Sequence, residues 1–520
     1  MWMQKGKPAQ RWVLAVLLSW AGAFPAGATQ SFTKVNAVEG ITGQTGLGQA
    51  VAWADIDNDG DQDLAFSNQD GSGFWLYRND GNGFAEITTT AGLNTVAARK
   101  LLFAEITGDD WVDLVVVYSS TSLWKNDGDN TFTNITGASG VGDSVLCLAD
   151  FNNDGAADVL TNGAGNDFSV QFGNGDGTFD SSSIVGSGPG GFSSVCFDYD
   201  LDGLTDFYVG TGYGGVNNAN QLFRNNGDGS FTDVSASAGV GWTGATHGLD
   251  VGDYDNDGRP DLYLGTHSAE TCDDPYPYDA CLEPCVLYRN KGDGTFEDKT
   301  VEAGVGGYTG PFGDTDTRTV SFSDYDHDGW LDIFVSCHNF GPNGNAMWHN
   351  NGDGTFTDTG SALGLAGDWL GDYFSVGWAD YNGDGANDIF AAGHVDPNKY
   401  VLYRNDGCPG NFLMVDLVGI ESNRSAIGAR ATVSACGSEL TRFVTGASGR
   451  QDFNSLTLDF GLDACTEVTS LEITWPSGAV QLLGSLSANQ HLVVSEDSTG
   501  QIFSDGFESG DLSYWSVAAP

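Results

Sequence analysis

The stretch Asp-Tyr-Asp-Asn-Asp-Gly-Arg-Pro-Asp, residues 253–261, sets carboxylates at positions 1, 3, 5 and 9 of a nine-residue loop and glycine at position 6. Hard divalent cations gather several oxygen ligands at once, and carboxylates two residues apart in a tight turn converge where glycine permits the bend. The stretch reads as a calcium loop. Related stretches begin at Asp55, Glu105, Asp150, Asp198, Asp324 and Asp380, which makes seven, spaced by 50, 45, 48, 55, 71 and 56 residues. Self-similarity at such a period dictates the architecture before any single element is considered.

Expected calcium ligands are Asp55, Asp57, Asp59 and Asp63 in loop 1, and Asp150, Asn152, Asp154 and Asp158 in loop 3. Loop 4 offers Asp198, Asp200, Asp202 and Asp206, and loop 5 offers Asp253, Asp255, Asp257 and Asp261. Asp324, Asp326, Asp328 and Asp332 follow in loop 6, then Asp380, Asn382, Asp384 and Asp388 in loop 7. Loop 2, with Glu105, Thr107, Asp109 and Asp113, is expected to be weak or empty because Asp110 stands at the glycine position. Asn152 and Asn382 replace carboxylates and should lower affinity modestly.

Each loop lies between two apolar runs, such as TVSFS before loop 6 and IFVSC after it. A third run ends in a turn (VLYRNKGDGTF), and a fourth opens on that phenylalanine (FTDVSASAGV). Four short strands per repeat with Asn-Gly and Asp-Gly turns describe an antiparallel sheet. Seven such sheets in series predict an all-β, seven-bladed β-propeller. The seventh repeat lacks its fourth strand, CPGNF standing where GDGTF is expected, whereas SFTKVNAVEGI at 31–41 has the fourth-strand pattern with no repeat before it. The N-terminal strand is therefore expected to close the last blade.

Residues 1–28 read as a signal peptide: Lys5, Lys7 and Arg11 precede an apolar run, and Ala26-Gly27-Ala28 offers a cleavage site. Export makes the chain secreted, extracellular or periplasmic, without membrane insertion. A formal charge of −50 argues against nucleic acid as a partner. The nine cysteines favour disulfides in an oxidising compartment. One bridge is expected within Cys272, Cys281 and Cys285 and one between Cys436 and Cys465, while Cys147, Cys196 and Cys337 read as buried free thiols in strands.

The loops with their LYRN-GDGTF turns resemble FG-GAP, or VCBS-type, repeats, as in the propellers of integrin α subunits. Beyond Gly410 the period ends, and SNRSAIGARATV, DFGL and TWPSGAVQLL resemble the ASPIC/UnbV domain that follows such repeats in the cartilage acidic protein family. Together these give a propeller over 29–410, a small β-sandwich-like domain over 411–496 and an acidic tail over 497–520. The resemblances imply extracellular adhesion.

His267, His338 and His394 each lie six residues after the last aspartate of their loop, while His247 and Arg318 lie six residues before the first of theirs. All five are expected on the face opposite the calcium loops, first as structural hydrogen-bonding groups copied from repeat to repeat, then as an anion or ligand surface or, less favoured, a transition-metal site. No catalytic residue stands out, since the loops account for the carboxylate spacing. The sequence reads as a secreted, monomeric calcium-binding module for an extracellular protein or polysaccharide. The alternative is a metal-dependent hydrolase or polysaccharide lyase acting on the histidine face.

Overall fold

A computed structural model describes residues 30–497 apart from 70, 72, 164, 189, 213–218, 268–284, 307–316, 338–344, 366–372 and 394–399. The segment expected to be a signal peptide, the cysteine-bearing insertion and nearly all of the tail lie outside these residues.

Each repeat forms a four-stranded antiparallel sheet in chain order, as in blade 5 with Ala245–Gly252, Asp261–His267, Val286–Asn290 and Phe296–Asp298. The first strands run innermost, and those with described side chains are buried nearly end to end because each is packed between the sheet it belongs to and its neighbours. They follow one another from Gly48–Ala54 round to Tyr373–Ala379, which packs back against Gly48–Ala54 and closes a ring of seven. Fourth strands are shorter than the sequence pattern suggests. Phe132–Asn134, for example, passes into a helical turn, Thr136–Ser139, which Gly140 ends in the left-handed conformation.

The N-terminus closes the last blade. Ser31–Lys34 pairs antiparallel with Tyr400–Asp406, Phe32 opposite Asn405, and the Phe32 ring packs edge-on against Trp378 at 6.1 Å. Deleting 31–41 strips the outer edge of blade 7 and uncovers Tyr403 and Val401, so a lower melting temperature and new protease cleavage near 400–406 are expected. Unchanged melting and unchanged digestion would contradict this closure.

After Asp406 the chain builds a three-stranded sheet (Leu458–Asp463, Asn411–Val418, Gln490–Ser495) and a four-stranded one (Ser438–Phe443, Arg430–Ala435, Ser470–Thr474, Val480–Leu483). This small β unit sits on the loop face of the propeller. Residues 444–457, which join the two sheets, leave it and enter the central channel. Asp452–Phe453 pairs parallel with the innermost strand of blade 1, Asp452 opposite Val51. Gly446 and Gly449 carbonyls accept from Leu148 (3.4 Å) and Ser194 (3.2 Å), Ser448 donates to Asp250 (2.8 Å), and Asp452 accepts from Thr319 and from the Val376 amide (3.0 Å). Lys100 of blade 2 feels the Asp452 charge. Every blade is thus reached by one plug. Its small residues suit the passage: a Cβ at Gly446 would overlap the Leu148 carbonyl.

Two cysteine expectations need revision. Cys147 and Cys196 are not free thiols but form a disulfide between the innermost strands of blades 3 and 4, with Cα atoms 6.3 Å apart. Cys436–Cys465 is bridged as expected. Cys285 is a buried free thiol; Cys272, Cys281 and the Cys337 side chain lie outside the described residues.

Candidate metal loops and the channel mouth

The loop sequence folds around its own first aspartate. In loop 5, Asp253 accepts the amides of Asp257 and Gly258, each at 2.9 Å, and the same clamp recurs at Asp55, Asp150, Asp198 and Asp380. Such a tight turn needs two left-handed residues. Position 4 supplies one, with φ between 54° and 58° at Asn58, Asn153, Leu201, Asn256 and His327. The position-6 glycines supply the other, with φ between 82° and 95°. Loop 2 keeps this trace with Asp110 at φ 74°, at a cost of about 1 kcal/mol.

The ninth aspartate ties strands together. Asp261 accepts the Tyr254 amide (3.2 Å) and the Asn290 amide of the third strand (2.7 Å). Asn290 in turn donates to the Tyr199 carbonyl of the preceding blade's loop at 2.7 Å. Asn79, Asn126, Asn225, Asn350 and Asn405 make the same inter-blade bond, to Tyr381, Ile56, Phe151, Tyr254 and Tyr325. Read in sequence, this asparagine is only a turn residue; its recurrence two residues before the first glycine of each turn was the available signal.

The remaining carboxylate atoms point to a cation. Ligand atoms of Asp55, Asp57 and Asp63 lie within 4.8 Å of one another, as do those of Asp198, Asp200 and Asp206 and of Asp253, Asp255 and Asp261. One oxygen of the third-position aspartate, Asp57, Asp200 or Asp255, is buried without a hydrogen-bond partner in each of these loops. Burial, with neighbouring carboxylates adding to it, pushes Asp55 and Asp253 up to about 7, Asp158 to about 8 and Asp63 to about 9. Clustered, desolvated, oxygen-only donors fit a hard divalent cation, calcium included. A third-strand cation flanks several loops: Arg224 pairs with Asp200 (2.7 Å) and Asp202 (2.6 Å), Arg289 with Asp255 and Asp257, and Lys125 with Asp109 in loop 2.

The small β unit covers part of this face. Its Ser425 accepts the Glu105 amide, Arg424 pairs with Asp110 at 3.1 Å, Asn387 donates to Asp459, and Asp324 accepts the Gly461 amide at 3.1 Å with Arg442 at 3.6 Å.

On the opposite side, the structure joins two of the five expected residues. His247 Nδ1 lies 3.2 Å from Arg318, both buried, and the His247 ring packs on Phe192 at 4.5 Å. The plug brings Arg450 over the Phe192 ring, 3.8 Å from its centroid. Sequence reading missed Arg450. His338 and His394, and the side chain of His267, lie outside the described residues.

These features define a seven-bladed β-propeller whose blade turns carry acidic clusters that could hold a cation and whose channel is entered by one segment of a C-terminal β unit. The chain belongs to the FG-GAP-like repeat family: that family profile matches 55–116, 105–161, 150–209, 198–264, 283–335 and 324–391, together more than half of the chain. The ASPIC and UnbV profile matches 419–501. Cartilage acidic protein 1 of Xenopus tropicalis is 27% identical over 51% of this chain and 39% of its own length. Its Homo sapiens counterpart is 28% identical over 50% and 38%. The match therefore spans well under half of either relative. Among solved structures, a lectin of Agrocybe aegerita specific for non-reducing terminal N-acetylglucosamine is 20% identical, covering 69% of this chain and 94% of its own, with a TM-score of 0.43. A Burkholderia pseudomallei lectin is 10% identical, covering 76% and 99%, with a TM-score of 0.39. Among the described residues, no helix is long and apolar enough to cross a membrane.

Proposed function

We propose that the chain is a secreted, calcium-stabilised binding module that engages an anionic group of an extracellular protein or polysaccharide at the channel mouth opposite the loops. The observation carrying this reading is the delivery of Arg450 by the plug to Phe192, His247 and Arg318. In a chain of charge −50, Arg450 on the Phe192 ring and Arg318 beside His247 form a local exception that favours negative ligands. The loop face is partly covered by the C-terminal unit, which leaves the other face for partners. Divalent cations, with calcium in the oxygen-only loops, would be held by loops 1 and 3–7 and would brace the hairpins that frame this mouth. Loop 2, with Lys125 on Asp109, would stay empty.

An array of acidic polysaccharides and matrix proteins tests the reading. A hit should lose about tenfold in affinity on Arg450→Glu, roughly 1.4 kcal/mol, and weaken with salt. The absence of any saturable anionic hit, or a hit indifferent to Arg450→Glu, would refute it.

A further inference from the structure

Loop 6 differs from the other loops in one donor. The third strand of its blade, Asn345–Asn350, carries His349 where five of the other six blades carry Arg78, Lys125, Arg224, Arg289 and Arg404 and blade 3 has Phe172. His349 Nδ1 stands 3.2 Å from Asp332 Oδ1 and 3.4 Å from Asp326 Oδ2, with Nε2 4.0 Å from Asp328. Ligand atoms of Asp326, Asp332 and His349 all lie within 4.8 Å of one another. Close as they are, they make no well-formed hydrogen bond, and His349 Nδ1 is buried without one. A second, independent atom is also left over. Asp324, first in the loop and with its side chain fully buried, has Oδ1 unmatched while Oδ2 takes the amides of Gly329 and Gly461. The imidazole is oriented by the Tyr325 ring, edge-on at 6.1 Å.

A guanidinium or ammonium beside an acidic loop can only neutralise it. An imidazole that gives up its proton to a metal brings a nitrogen lone pair, and nitrogen ligands suit zinc, cobalt, nickel and copper, whereas calcium takes oxygen. Separations of 3.2 and 3.4 Å are those of neighbouring ligands around a metal with bonds of about 2.0–2.2 Å. We infer that loop 6 is a mixed nitrogen–oxygen site that takes a transition divalent cation through His349 Nδ1, Asp326 and Asp332, while the oxygen-only loops take calcium. This rests on the reading of the loops as cation sites. His349 is about a quarter exposed, so the ion can exchange with solvent.

Cobalt is the probe, because its visible absorption reports nitrogen ligation. Untagged, metal-stripped full-length protein is dialysed against excess calcium with a small amount of Co2+, and both metals are counted. The expected result is several calcium ions and one Co2+ per chain with a visible band, and loss of that Co2+ in His349→Arg with the calcium count otherwise kept. Arg is the residue four other blades carry, so this variant preserves the local charge. Calcium retained without Co2+, or Co2+ retained equally by His349→Arg, overturns the inference and leaves the calcium reading standing. A chain that holds neither metal overturns both.

Discussion

Stripping the chain of calcium is expected to lower its melting temperature near pH 8 by on the order of 10–20 °C. A cation that binds only the folded form adds about 2.7 kcal/mol per site at a hundredfold excess over its Kd, and six loops have the donors for one. The effect has a predictable pH dependence. In the stripped protein, Asp55, Asp63, Asp158 and Asp253 hold their protons up to about 7, 9, 8 and 7, against 3.8 for an unburied aspartate. Folding then favours the protonated form, so their contribution is complete below about pH 4 and is lost as pH rises through 7 to 9. Calcium reverses this by holding the carboxylates ionised, and binding releases protons. Melts of stripped and calcium-loaded protein should nearly coincide around pH 5 and diverge steadily toward pH 8. Coincident melts at pH 8 would refute structural calcium.

What the sequence made legible was whatever repeats. Seven loops at a regular spacing fixed the blades, and a fourth-strand pattern at 31–41 with no blade of its own identified the closing strand. Features that occur once, or depend on which strands lie side by side, stayed hidden. Cys147 and Cys196 each read as a thiol in a buried strand; only the ring places those strands adjacent, close enough to bond. The plug has no periodicity to detect. Its Thr445-Gly446-Ala447-Ser448-Gly449 run looks like an ordinary linker, because small residues that fit a channel are also those that populate exposed loops. The candidate site divides the same way. Loop ligands came from spacing, but His349 gains meaning only from the fold, whose strand pairing sets it opposite Thr357 and whose loop brings it beside Asp332. The second role of the ninth aspartate, bracing the third strand through Asn290 and its equivalents, likewise needs the sheet.

Asp452→Ala is expected to be the most damaging single substitution in the chain, costing about 3–5 kcal/mol. Asp452 is 1% exposed and sits where the plug meets blades 1, 2, 6 and 7. Removing its carboxyl strands the Val376 amide and the Thr319 hydroxyl inside the channel, where no bulk water can replace the lost acceptor. It also takes away the acid that opposes the desolvation of Lys100, whose ammonium burial pushes down to about 7. Because the plug reaches every blade, the damage should not stay local: the C-terminal unit should loosen as the propeller does, giving a lower melting temperature and protease cleavage within 444–457. Asp452→Asn keeps the acceptor for Val376 but not the charge, and should fall between Ala and the parent. Glu472→Ala, exposed on the same unit, should change nothing. If Asp452→Ala melts with the parent and resists cleavage, the plug is an ornament in the channel; if it behaves as expected, the C-terminal unit is the keystone of the ring, and Arg450 is presented at the far mouth only because Asp452 holds the strand behind it.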